Sequence, residues 1–84
     1  MRLSAAGNVE VPAFLVLASK GYAIKRTIAD DIEVWSAAKG EDEFQADSPL
    51  QLLGVVVVAE ERGDAWAAED EQIDAFLRRF KIDG

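Results

Sequence analysis

The spacing of apolar residues changes twice along this chain. Between Val9 and Lys20 it is helical, with Val11, Phe14, Leu15 and Ala18 on one face. Phe14-Leu15-Val16-Leu17 is also a continuous apolar run, so a strand is the competing reading of this segment. Asn8 is placed to cap a helix, Pro12 suits the first turn, and Gly21 stands where the helix should stop. From Tyr22 to Ala46 the period is two. In Tyr22–Thr27, Tyr22 and Ile24 point one way and Lys25 and Thr27 the other. In Ile32–Ala38, Ile32 and Val34 share one face, Glu33 and Trp35 the opposite one. In Glu43–Ala46, Phe44 and Ala46 point together. Asp30-Asp31 and Lys39-Gly40-Glu41-Asp42 are links of hairpin length, which makes the three strands an antiparallel meander.

The run from Phe44 to Trp66 is the most apolar in the chain. Ser48 can cap a helix, Pro49 suits its first position, and Gln51 stands three residues after the cap, as a capping box requires. Gly63 can end it in a left-handed conformation. These signals predict a helix over Pro49–Arg62. Leu50, Leu53, Gly54 and Val57 form one apolar face and Leu52, Val55, Val56 and Ala59 a second. Two such faces call for two covers, a sheet on one side and a second helix or a partner subunit on the other. Gly54 is expected to mark a close approach of a neighbouring element. Four successive valines, Val55–Val58, favour an extended backbone and keep a buried strand as the alternative. The caps and the length, beyond the roughly 4–8 residues of a buried strand, support the helix.

Residues 67–80 carry a third helical pattern. Ile73, Phe76, Leu77 and Phe80 are spaced i, i+3, i+4, i+7, and Trp66 precedes Ile73 by one heptad, which places Trp66 in the expected core. Glu69, Asp70 and Glu71 at the start and Arg78, Arg79 and Lys81 at the end suit the helix dipole. The expected architecture is a single α+β domain over residues 1–84, a three-stranded antiparallel sheet packed on helices in the order α-β-β-β-α-α. Residues 1–8 form a loose lead-in. Over roughly residues 9–62 this order resembles that of double-stranded-RNA-binding domains and of some small toxin–antitoxin proteins. The resemblance implies helices on one face of the sheet. Such RNA-binding domains place a lysine cluster at the start of their final helix. Here Asp47, Ser48 and Pro49 stand there, so RNA binding does not follow.

Charge separates the chain into three parts. Residues 1–27 carry +3, residues 28–77 carry −12, and residues 78–84 carry +2, for a net charge of −7. The acidic middle repels phosphate and suits a basic partner. With no cysteine and no histidine, disulfides, thiolate chemistry and the commonest general base and metal ligand are absent. Serines 4, 19, 36 and 48 have no imidazole to activate them. Most acids sit at turns and helix starts, and the 41–47 hairpin lacks the alternating ligands of a calcium loop. No catalytic residue, cofactor or metal ligand is therefore expected. The start carries no long apolar segment, and no run is long enough to span a membrane, so a cytoplasmic protein is expected.

What remains is a candidate interface. Trp35 with Lys25 and Thr27 would form an aromatic patch if its face of the sheet were open. Glu33, Glu41, Asp42, Glu43, Glu60 and Glu61 supply the acidic surroundings. The expected role is that of a small acidic, non-enzymatic protein-interaction module, of an accessory, antitoxin or immunity kind, bound to a basic protein or to itself. The alternative is a nucleic-acid-associated regulatory module using Arg2, Lys20, Lys25 and Arg26.

Overall fold

A computed structural model of the chain describes residues 1–5 and 8–82. Helix α1 spans Glu10–Ser19, strand β1 Ala23–Ala29, β2 Ile32–Lys39 and β3 Asp42–Ala46. Helix α2 spans Pro49–Arg62, a 3-10 turn covers Gly63–Ala65, and helix α3 spans Asp70–Arg79. The α-β-β-β-α-α order and the α+β class are those expected from the sequence. Residues 1–5 carry no secondary structure and are exposed, and the rest of the expected lead-in is described only at Asn8, because residues 6–7 lie outside the described residues.

The sheet has the order β1-β2-β3 and both pairings are antiparallel. Ala29 pairs with Ile32 across the two residues Asp30 and Asp31, both at positive φ (52° and 65°). Two successive positive φ values are what a type I′ hairpin turn demands, and aspartate tolerates them better than most residues. Lys39 pairs with Asp42 across Gly40 and Glu41, and Gly40 takes the positive φ (61°).

Local chemistry fixes α2 as a helix in spite of its four valines. Ser48 Oγ accepts the backbone N–H of Gln51 at 3.1 Å, and Pro49 occupies the first turn. The Gln51 side chain reaches back one residue further than a standard capping box, accepting from the Asp47 N–H at 2.7 Å. Glu10 Oε1 accepts from the Leu50 N–H at 3.0 Å, so α1 supplies a second cap. Gly63, at φ 63°, closes the helix. Helix α1 is capped less well than expected. Its N-cap is Val9, which makes no side-chain cap hydrogen bond, and Asn8 does not fill the role.

Helices α1 and α2 lie side by side on one face of the sheet, α1 over β1 and α2 over β3. The register places Ile24, Ala37 and Phe44 abreast, and Arg26, Trp35 and Ala46 abreast, on that face. Leu17, Leu52 and Val56 are fully buried over Ala37, with Tyr22 beside them and Ile24, Trp35, Phe44, Ala46 and Leu53 packed around the cluster. Ala37, a small residue on the central strand, lets both helices approach the sheet there. Ile32 and Val34 face the other, uncovered side.

Two helix faces differ from expectation. Helix α1 buries Ala13 and Leu17, whereas Val11, Phe14, Leu15 and Ala18 are exposed. This helix is apolar nearly all round, so spacing alone did not distinguish its faces; Ala13 is small enough to sit in the contact. Helix α2 buries Pro49, Leu52 and Val56, while Val55, Val57 and Val58 remain exposed. The expected second face is thus split: its Leu52 and Val56 enter the core, and no described element covers the side that carries Val55 and Val58.

Candidate interaction surface

Along the uncovered side of α2 runs an open groove of about 710 Å³, lined by Phe44, Gln51, Gly54, Val55, Val58, Ala59 and Trp66. Gln51, Gly54, Val55, Val58 and Ala59 are spaced i, i+3, i+4, i+7, i+8 and so make one continuous helical stripe. A Cβ built on Gly54 would meet nothing within 4 Å, which corrects the expectation of a close neighbour at this position. Nothing within the described chain uses the space that this glycine leaves. Trp66 was expected in the core and is 62% exposed. The reason is local: α3 starts only at Asp70, so Trp66 lies in the connection and cannot continue the helical stripe.

The C-terminal end of α2 carries a polar cluster. Lys20 Nζ lies 2.9 Å from Glu60 Oε1, and the Tyr22 hydroxyl donates to Glu60 Oε2 at 3.1 Å. The Lys20 hydrogen bond, followed by that from Tyr22, holds the Glu60 carboxyl below the usual carboxylate range against a desolvation effect of opposite sign. Tyr22 is pushed upward, first by burial and then by the Glu60 carboxylate and Asp42. Lys39 Nζ lies 5.4 Å from the centre of the Tyr22 ring, and the Phe44 ring meets Tyr22 edge-on at 6.1 Å. A hollow of about 350 Å³ here is lined by Asp42, Glu60 and Asp64 and shares Phe44, Ala59 and Trp66 with the groove. One end of the groove is therefore acidic, and among the described residues neither Asp42 nor Asp64 is in an ion pair.

The sequence-derived interface residues separate into distinct places. Trp35 and Lys25 do not form one patch: Lys25 pairs with Ser36 and shares the uncovered sheet face, whereas Trp35 pairs with Arg26 on the helix-covered face. Trp35 is half-buried against the core, its indole N–H donating to Glu33 Oε1. Arg26 Nη2 binds Glu33 Oε2 at 3.1 Å, and its guanidinium carbon lies 5.9 Å from the centre of the Trp35 ring. The Arg26 hydrogen bond, then that of Trp35, lowers the Glu33 pKa. Glu41, Asp42 and Glu43 lie at the β2–β3 hairpin, and Asp42 alone of these lines the hollow beside Glu60. Glu61 is exposed on α2.

Helix α3 makes no substantial contact with any other element. Gln72 Oε1 accepts from the Glu69 N–H at 2.8 Å at its start. At its end Lys81 takes a positive φ (55°) and the Ile82 N–H reaches Leu77 O at 2.9 Å, a Schellman closure. Its apolar stripe faces water: Phe76 is 55% and Phe80 56% exposed, the two rings pack on each other at 5.1 Å, and the Arg79 guanidinium carbon lies 5.4 Å from the centre of the Phe80 ring. The stand-off of α3 and the lead-in is consistent with a Cα radius of gyration of 15.2 Å, against about 12 Å for a compact chain of this length. A strongly amphipathic stripe normally has an intramolecular partner, which is why the pattern of residues 67–80 put Trp66 in the expected core. The surplus apolar face of α2 was the signal that pointed to the groove.

No helix among the described residues is long and apolar enough to cross a membrane. Among those residues no group of three or more aspartates and glutamates could hold a metal ion. In comparisons with known proteins, the chain matches no protein-family model, no curated protein sequence and no solved structure.

Proposed function

We propose that this protein is a non-enzymatic interaction module that works by docking apolar surface. The observation that carries the reading is the pair of complementary unpartnered faces, the α2 groove and the α3 stripe. A ten-residue helix without tertiary packing is marginal in water, because nucleation is costly and helices shorter than about 12–15 residues gain too little on their own. A helix with exposed Ile73, Phe76 and Phe80 gains most of its stability when that stripe is covered. The acidic rim supplies selectivity for a basic or basic-ended surface rather than most of the affinity. A cytoplasmic setting fits the absence of cysteine.

The nucleic-acid reading has less support. Lys20 is bonded to Glu60 and Arg26 to Glu33, while Lys25 lies on the opposite sheet face from Arg26. These bases do not line one phosphate-binding track.

Cross-linking of the purified chain and after expression in its native host, with Val58→Asp as control, tests the proposal. A defined adduct, self or foreign, that Val58→Asp abolishes is the expected result. A solitary chain in both settings, with α3 fully protected from amide exchange, would overturn it.

A further inference from the structure

Resting on that interaction reading, we infer that the occupant of the α2 groove is α3 of a second copy of this chain, exchanged reciprocally in a two-fold dimer. Three features of the chain match one another. The groove is apolar, and the α3 stripe of Ile73, Phe76, Leu77 and Phe80 is an apolar ridge of helical length that packs on no other described element. Gly54 removes a side chain in mid-helix at a cost of about 1 kcal/mol relative to alanine, and no atom of the described residues occupies that space. A bulky ring such as Phe76 of the partner's helix fits a groove floor that lacks a side chain. The charges also correspond. The groove's end carries Asp42 and Asp64, and the end of α3 carries Arg78, Arg79 and Lys81, none of which pairs with a carboxylate among the described residues. Docking α3 with its basic end at the acidic end fixes its orientation along the groove.

Reciprocity follows from each chain holding one ridge and one groove. A two-fold exchange satisfies both at once and closes, whereas a one-way arrangement would leave a groove open and grow. Exchange of one element between identical chains needs no new surface.

Sedimentation equilibrium on the full chain tests this, with Phe76→Asp removing the ridge and Val58→Asp blocking the groove. Both positions are exposed, so neither substitution removes a core contact. The wild type should sediment as a dimer, and each variant alone should dissociate at least about a hundredfold more readily, the scale of a buried aromatic anchor. Mixing the two variants should recover part of the association, because Phe76→Asp retains a groove and Val58→Asp retains a ridge. A wild-type dimer indifferent to both substitutions, or variants that fail to complement, would overturn the exchange while leaving the interaction reading in place. A wild-type monomer with α3 open to amide exchange would do the same. A monomer with α3 protected, packed back on its own groove, would overturn both.

Discussion

The carboxylate of Glu10, the first residue of α1, accepts a hydrogen bond at 3.0 Å from the backbone N–H of Leu50 in the first turn of α2, forty residues away. The contact satisfies an N–H that has no intrahelical partner and sets a negative charge at the positive end of the helix. It also ties together the starts of the two helices that cover the sheet. Glu10→Ala should therefore lower stability by about 0.5–2 kcal/mol, the range for a lost N-cap. In a domain this size that is a fall in melting temperature of about 4–8 °C per kcal/mol. Thermal unfolding followed by circular dichroism reads the effect, and an unchanged midpoint would show that water replaces the cap at no cost.

The acid limb of stability should follow Glu60 and Glu33. Both are lowered in the folded state, Glu60 chiefly by Lys20 and Glu33 chiefly by Arg26. A lowered folded pKa means that the stabilisation is present above the unfolded carboxylate value and is lost as pH falls through the folded value. Melting temperature should therefore drop below about pH 4.3, the ordinary glutamate range. Glu60→Gln should make that drop shallower. The same slope in the variant would place the acid sensitivity elsewhere.

Tyr22 is the chain's single tyrosine, so an ultraviolet titration reports it alone. Burial, reinforced by the Glu60 carboxylate, raises its pKa. Here the sign is reversed: stability is complete below about pH 10 and is lost as pH climbs through the raised value. The phenol should ionise later in the folded chain than in urea, and Glu60→Gln should narrow the difference. Coincident titrations would contradict both the burial of Tyr22 and its hydrogen bond to Glu60.

Moderate salt should raise the melting temperature. Residues 28–77 carry fourteen acids and two bases, and the described residues contain only the Lys20–Glu60 and Arg26–Glu33 ion pairs. Most of those acids repel one another without compensation, and screening relieves that repulsion. A midpoint that is flat or falls as salt increases would show that the carboxylates are already well separated.

Where a single residue type decides the backbone, the sequence was readable. Ser48, Pro49 and Gly63 bound α2, Gly21 ends α1, and Asp30-Asp31 makes the first hairpin, each for a reason of local geometry. Faces were harder to read wherever an element is apolar on more than one side. Val11, Phe14 and Leu15 look as fit for a core as Ala13 and Leu17, and the choice is made by which side of α1 meets the sheet and α2, which the helix's own spacing does not record. In β2, Ile32 and Val34 compete with Trp35 and Ala37, and the pairing of Ala37 with Ile24 and Phe44 decides between them. Trp66 was misplaced because α3 starts only at Asp70, four residues after it. The surroundings of Gly54 depend on whether α3 folds back on α2, and periodicity within one segment carries no information about that.

Gly54 allows the groove to be separated from the fold. Because its Cβ would meet open space, Gly54→Ala should stabilise the isolated fold by up to about 1 kcal/mol through helix propensity. Gly54→Leu should leave the melting transition cooperative while weakening association, since the added side chain fills the groove floor. A Gly54→Leu chain that associates as well as the wild type would mean that nothing docks at this position.

The most direct measurement is amide hydrogen exchange over residues 70–79 at increasing protein concentration. In a dilute monomer these amides should exchange fast, because α3 has no packing of its own. Protection should grow with concentration as the stripe becomes covered, and Val58→Asp should hold it at the dilute level. Protection that is independent of concentration, or fast exchange that persists at every concentration, would contradict a helix that is completed by a second copy.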